Sequence, residues 1–294
     1  MFSVTIIANN ELTDFSLALN EIKASKNHFR NHEIDGINFA KFKVTDPLSE
    51  ATVKSIEKDH NCTIFVIPQE IINYCTDPSI PKVAVFDLDS TLIQMEVIDT
   101  LAASKPEIGD QVARITEESM RGLIDFKESL TRRVALLEEI EIETQWKHIK
   151  ETVKFTPGVP ELFRNLFCKE NGWTTAVLSG GFLPIAEWVK DRLNLSFAFA
   201  NNLQVDTKSG QLTGKLLPDH PIIDSKAKEH HLLSLITSTE AKVSVAVGDG
   251  ANDLLMLAQA DIGVAFNAKP IVQDKAKYRL NHKSIYALYH ALTE

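Results

Sequence analysis

Three short stretches carry side chains that could do chemistry together. Asp87-Leu88-Asp89-Ser90-Thr91 sets two carboxylates two positions apart. In an extended chain residues i and i+2 lie on one side, so both can face one substrate. Their mutual repulsion calls for a cation, or for protonation of one of them. Val177-Leu178-Ser179-Gly180-Gly181 follows a hydroxyl with two glycines, presenting an oxygen and bare backbone N–H groups to an anion. Gly248-Asp249-Gly250-Ala251-Asn252-Asp253 adds small residues, which let the backbone approach a ligand, and two more carboxylates. Oxygen ligands of this kind suit Mg²⁺. Each stretch alone has an ordinary explanation, since Asp ends strands and caps helices and Ser-Gly-Gly makes turns. The three together are far more specific.

Each stretch runs on from an apolar, β-rich segment: Val83 to Phe86, Thr174 to Leu178 and Val243 to Val247, with a fourth such segment at Ile262 to Phe266. Helical stretches at Pro160 to Glu170, Leu183 to Leu193 and Lys226 to Ile236 separate them. Continuous apolar strands alternating with helices imply a parallel sheet covered on both faces. Ligands bind at the carboxyl ends of such strands, so the three loops should converge. Residues 95–157 show helical patterns at Val112 to Met120, Phe126 to Leu137 and Ile142 to Val153, and no convincing strand. That reads as a helical cap inserted into an α/β, Rossmann-like core. Asn202 to Asp206 and Gln211 to Leu216 flank Lys208-Ser209-Gly210 and read as a β-hairpin.

The first part of the chain has a different grain. Phe2 to Ala8, Ile37 to Val44 and Cys62 to Ile67 read as strands, and Leu12 to Lys26 and Leu48 to His60 as helices. With His28 to Ile34 as the first arm of a hairpin turning at Asp35-Gly36, the order is βαββαβ, an α+β ferredoxin-like arrangement. Two domains are expected, 1–76 and 77–294, with Asp77 to Pro81 as linker. At 294 residues the length suits two domains. A 44% hydrophobic and 24% charged composition is that of a globular chain. No apolar run approaches the ~20 residues of a membrane span, and the first ten residues lack a signal peptide's pattern. A formal charge of −9 argues against a general nucleic-acid or anionic-membrane partner. Cys62, Cys75 and Cys168 are an odd set without close pairing, so reduced core thiols in a cytoplasmic protein are expected. His230-His231 on one helix should point apart rather than share a metal.

The constellation resembles the haloacid dehalogenase superfamily. Asp87-Leu88-Asp89-Ser90-Thr91 matches its first motif, Ser179 its second, Lys228 its third-motif lysine and Gly248 to Asp253 its fourth. On spacing alone Lys226 competes with Lys228. The resemblance narrows to the phosphoserine phosphatase family through Glu96, Met120-Arg121-Gly122, Phe126 to Leu130, Arg133-Val134, Leu178 to Phe182, Phe199-Ala200-Asn201 and Ala268-Lys269-Pro270. It spans about residues 82–277. The N-terminal unit lies outside it and is only similar in order to the ACT modules found on some relatives.

The resemblance implies a nucleophile at Asp87 and a general acid and base at Asp89. Mg²⁺ would bind Asp87, the Asp89 backbone carbonyl and Asp249, with Asp253 in support. Ser179, the Gly180 N–H and Lys228 would cradle the phosphoryl group, and Asn252 would help hold that end. Glu96 would pair with the ammonium of phosphoserine and Arg133 with its carboxylate. Phe126 and Met120 would shield the site. Two other readings stay open: the same core acting on another small phosphomonoester or passing phosphate to an alcohol such as homoserine, and an idle binding protein on the same fold. The N-terminal unit could sense serine, build a homodimer, or simply pack on the core.

Overall fold

The computed structural model describes residues 1–9, 18, 22, 30–34 and 36–294. The expected helix Leu12 to Lys26 and Asp35 of the expected turn lie outside them, apart from Ala18 and Ile22. Strands β1 (Phe2–Ala8), β2 (Arg30–Ile34), β3 (Ile37–Val44) and β4 (Cys62–Pro68) form an antiparallel sheet in the order β2-β3-β1-β4. This is the strand order of a ferredoxin-like unit. β1 is buried along nearly its whole length because both sheet faces are covered. Val4, Ile6 and Ala8 pack with Val53 and Ile56 of the helix Glu50–His60. On the other face Ile7, Phe39, Phe65 and Ile67 join the large core of the rest of the chain.

That larger part is a six-stranded sheet, ordered β12-β11-β10-β5-β6-β7. Its strands are β5 (Lys82–Phe86), β6 (Trp173–Phe182), β7 (Phe197–Asn201), β10 (Val243–Gly248), β11 (Ile262–Phe266) and β12 (Tyr278–Leu280). Every neighbouring pair is parallel. β5, β10 and β11 are buried at every residue, which is why they read as unbroken apolar runs. β8 (Leu203–Val205) and β9 (Leu212–Leu216) form the expected hairpin. Between β5 and β6 lie the helices Val97–Ala102, Gly109–Met120, Phe126–Leu136 and Ile142–Thr152, the expected cap. A lone bridge between Ile93 and Phe155 closes the base of this insert. No described helix is long and apolar enough to cross a membrane.

The segment read as a linker is a fastened turn. Lys82 is fully buried, and its ammonium donates to the carbonyls of Asp77 and Ile80 and lies 5.6 Å from the Trp173 ring centre. Cys62 and Cys75 are buried thiols, their pKa pushed up to about 12 chiefly by burial, whereas Cys168 is partly exposed. The His230 and His231 rings do splay, and His231 stacks on Phe199 at 4.0 Å.

Candidate active site

β5, β6 and β10 lie side by side and end at the same edge of the sheet, so their loops meet. Asp87 is the first residue after β5, and the Asp87 N–H is tied to Val247 O of β10. Ser90 then takes a left-handed backbone, φ 58°, which costs a non-glycine residue roughly 1–2 kcal/mol. Its hydroxyl donates to Glu96 Oε1 at 2.8 Å. Both glycines after Ser179 let neighbouring side chains approach closely. A Cβ on Gly181 would stand 2.7 Å from Asp89 Oδ2, and one on Gly180 would stand 2.7 Å from the Phe126 ring. Asn201, at the end of β7, donates to Gly180 O at 2.9 Å and fixes that loop.

Lys228 enters from the helix Ser225–Thr239, which Asp224 caps by accepting the Ala227 N–H at 2.9 Å. Its ammonium is fully buried, 2.7 Å from Asp87 Oδ1 and 2.6 Å from Asp253 Oδ1. This settles the choice left open by spacing: Lys228, not Lys226, reaches the carboxylates. Burial would depress the Lys228 pKa, but Asp253 and Asp87 outweigh it and raise it. Asp253 also accepts the Gly250 N–H at 2.9 Å, and Asp249 accepts from Thr91 Oγ1 at 3.2 Å.

Carboxylate oxygens of Asp87, Asp249 and Asp253 lie within 4.8 Å of one another. Burial, and then the charge of Asp87, pushes Asp249 and Asp253 up to about 7. Three buried carboxylates share one ammonium, so the cluster lacks positive charge, and its donors are all hard oxygens. The residues therefore fit a divalent cation. Asp253 stands within this group, with Oδ1 on the Lys228 ammonium and Oδ2 on the Gly250 N–H. Asp89 has a different setting. Its pKa is raised well above the usual range by burial, Glu96 and Asp87, and its Oδ1 is buried without a hydrogen-bond partner among the described residues.

Above this floor opens a cavity of about 890 Å³. Asp87, Asp89, Gly180, Asp249 and Asn252 line it on the core side, and Glu96, Phe126 and Arg133 on the cap side. Every expected contact residue except Ser179 and Lys228 reaches the cavity surface; those two are fully buried beneath it. The Met120 side chain lies outside the described set. Of two further charged wall residues, Asp99 was not singled out in the sequence, and Lys269 entered only through the Ala268-Lys269-Pro270 match, with no role attached. Asp99 lies three positions after Glu96, one helical turn, and is the nearest acid in its effect on Arg133. Lys269 opposes Glu96 and Asp249 with a positive charge. The helical spacing of Glu96 and Asp99 was a usable signal, whereas Lys269 was marked by the Ala268-Lys269-Pro270 resemblance and by no pattern of its own.

Comparison with known proteins agrees with this geometry. A family profile for haloacid dehalogenase-like hydrolases matches residues 81–261. Phosphoserine phosphatase of Saccharomyces cerevisiae is 46% identical over 213 residues, 72% of this chain and 67% of that one. Phosphoserine phosphatase of Idiomarina loihiensis is 44% identical over 212 residues, 71% of this chain and 93% of that one. Among solved structures, a haloacid dehalogenase-family hydrolase from Salmonella enterica serovar Typhi superposes with a TM-score of 0.83 at 24% identity. It covers 99% of both chains, so the N-terminal sheet is part of a shared fold. With a buried carboxylate–lysine floor under a helical cap and relatives this close, the chain belongs to the haloacid dehalogenase-like hydrolases and, within them, to the phosphoserine phosphatase family.

Proposed function

We propose that this enzyme hydrolyses O-phospho-L-serine to L-serine and phosphate, with Mg²⁺ at the carboxylate cluster. The observation that carries the reading is that Glu96 and Arg133 face the same cavity as Asp87 and Asp89. A phosphoryl group resting on the floor would direct an ammonium and a carboxylate toward those two charges.

Asp87 attacks phosphorus and takes the phosphoryl group as the serine oxygen leaves. Asp89 gives that oxygen its proton and later takes one from the attacking water. A carboxyl group with a raised proton affinity and an unpartnered buried oxygen suits this work. Lys228 and the Gly180 N–H hold the phosphoryl oxygens as charge builds on them, while Ser179 orients the loop by accepting the Gly181 N–H at 2.8 Å. Asn252 lines the cavity beside Gly180 and would help hold that end of the phosphoryl group. Asp87, Asp249 and Asp253 would hold Mg²⁺, with the Asp89 carbonyl as a further ligand. When bound it supplies positive charge that screens these carboxylates from an incoming phosphate. Buried free thiols suit a reducing, cytoplasmic setting.

The test is phosphate release from L-phosphoserine and from a simple phosphomonoester, with and without Mg²⁺, in the natural sequence and in Arg133→Ala. Loss of a desolvated charge partner costs about 2–5 kcal/mol, on the order of 30- to several-thousand-fold. That loss is expected in kcat/KM for phosphoserine and not for the simple ester. Equal losses on both would remove Arg133 from substrate recognition, and no turnover of phosphoserine would sink the reading.

A further inference from the structure

The N-terminal unit is tied to an element that lines the cavity. The helix Pro270–Lys275 begins at the cavity wall, which Lys269 and Ile271 help to line. Lys269 also donates its backbone N–H to Asp249 O at 3.2 Å. Six residues make too short a helix to hold itself in water. A carbonyl of its last turn and that of the residue capping it, which have no partner inside the helix, are taken by two basic side chains. Lys54 Nζ donates to Asp274 O at 2.8 Å, and Arg279 Nη1 donates to Ala276 O at 3.0 Å. Arg279 is held in turn by Glu57, Nε to Oε2 at 2.7 Å, with less than a tenth of either side chain exposed. Glu57 Oε1 accepts the Ile64 N–H at 2.8 Å, which anchors this carboxylate to β4. Beside this pair, Asn281 Nδ2 donates to Gln273 Oε1 and Gln273 Nε2 to Ala268 O, each at 2.8 Å. The contacts thus run without a gap from the N-terminal sheet to the residue before Lys269.

We propose that Glu57, Arg279 and Lys54 are positioning residues: through them the N-terminal sheet fixes the helix Pro270–Lys275 and so places Lys269 and Ile271 on the Glu96 side of the cavity. The role for substrate rests on the phosphoserine reading above; the mechanical link does not. It also separates two halves of one interface. Lys41 of the same sheet bonds to Thr293 O near the C-terminus, far along the chain from the cavity wall. Contacts through β12 should govern the site, and contacts through the C-terminal helix should govern only stability.

The experiment compares Glu57→Gln and Lys41→Met in the full-length chain, at a temperature where both are folded. Hydrogen exchange over residues 268–276 and the kinetics on phosphoserine are the two readouts. Glu57→Gln keeps the size and loses the charge that holds Arg279. It should speed exchange across 268–276 and raise KM by about three- to tenfold with kcat within about twofold. Lys41→Met should leave both at the natural values, even if its melting temperature falls as far. Natural exchange and KM in Glu57→Gln, or the same KM rise in both variants, would overturn the proposal. If Glu57→Gln does not fold, Lys54→Met removes one clamp from a side chain only a third exposed and is read the same way. If the natural protein does not release phosphate from phosphoserine, the substrate reading fails and hydrogen exchange alone decides the link.

Discussion

Burial first, and then the negative charge of Asp87 that Lys228 does not fully offset, raises the proton affinity of Asp249 and Asp253. Both are pushed up to about 7 in the folded state. An acid with a raised folded pKa keeps its proton longer in the folded chain than in the unfolded one. Without a cation, stability should therefore fall as pH rises from about 4 to about 7. A divalent cation displaces those protons, so the gain in melting temperature on adding Mg²⁺ should be larger near pH 8 than near pH 5. Thermal scans with and without the ion at the two pH values check this, and an equal gain at both would count against these ligands. Asp87→Asn should lower phosphate release on the order of a thousandfold or more while leaving the circular-dichroism spectrum unchanged. Near-natural turnover, once deamidation is excluded, would remove Asp87 from the nucleophile's role. At this scale the sequence was most legible where a residue ends a buried strand. Asp87 and Asp249 each follow the last residue of a buried strand, whereas Ser179 interrupts the apolar run of β6, which continues to Phe182. Asp99 is marked only by its one-turn spacing from Glu96 and Lys269 only by the Ala268-Lys269-Pro270 resemblance, since a charge on a short helix or at its start otherwise looks like any solvated one.

The helix Ser225–Thr239 shows how an element sets a single atom. Asp224 caps it, and one turn later Lys228 points inward between two carboxylates. Asp224 Oδ2 also receives Lys127 of the cap at 3.1 Å, a pairing with one largely exposed partner. Asp224→Ala removes both and should cost about 0.5–2 kcal/mol, almost all from the helix cap. That corresponds to a drop of roughly 2–4 °C per kcal/mol in melting temperature, checked by a denaturation scan. The long elements were readable because burial imposes a period. Leu183–Leu193 and Ile262–Phe266 fall where the pattern put them. Tyr278–Leu280 did not, because three residues carry no period. Its strand character comes from β11 beside it and from the N-terminal sheet behind it, which are facts of the tertiary fold. The helices Pro270–Lys275 and Ala287–Leu292 escaped for the same reason.

The whole molecule departs most from the expectation of two units on a linker. Phe65 stacks on Tyr278 at 5.4 Å, Phe39 on His290 at 4.2 Å, and Tyr278 donates its hydroxyl to Val66 O at 3.0 Å. A chain starting at Asp77 would retain every side chain proposed for the chemistry. It would also uncover the face of Tyr278, Leu288 and Ala291 that now lies in the shared core. Burying one such side chain is worth about 1.5–3 kcal/mol, against a total stability of about 5–15 kcal/mol. The shortened chain should therefore aggregate or melt well below the full one. Light scattering and a thermal scan of the two proteins measure this, and matching melting temperatures would show that the contacts are dispensable.

The pairing of Phe39 with His290 also has a consequence for the order of synthesis. The first sheet is complete once about residue 68 has left the ribosome, but the surface that covers its inner face includes a helix ending at Leu292. At about 5–20 residues per second, that delay is roughly 10–50 s. Throughout it Ile7, Phe39, Phe65 and Ile67 form an uncovered apolar face on a nascent chain. Such a face is what a holding chaperone would grip, and slower growth of the culture at low temperature would not shorten the wait. A nascent chain stalled just short of Ala287 should therefore be more readily captured by a chaperone than one in which the helix to Leu292 has emerged.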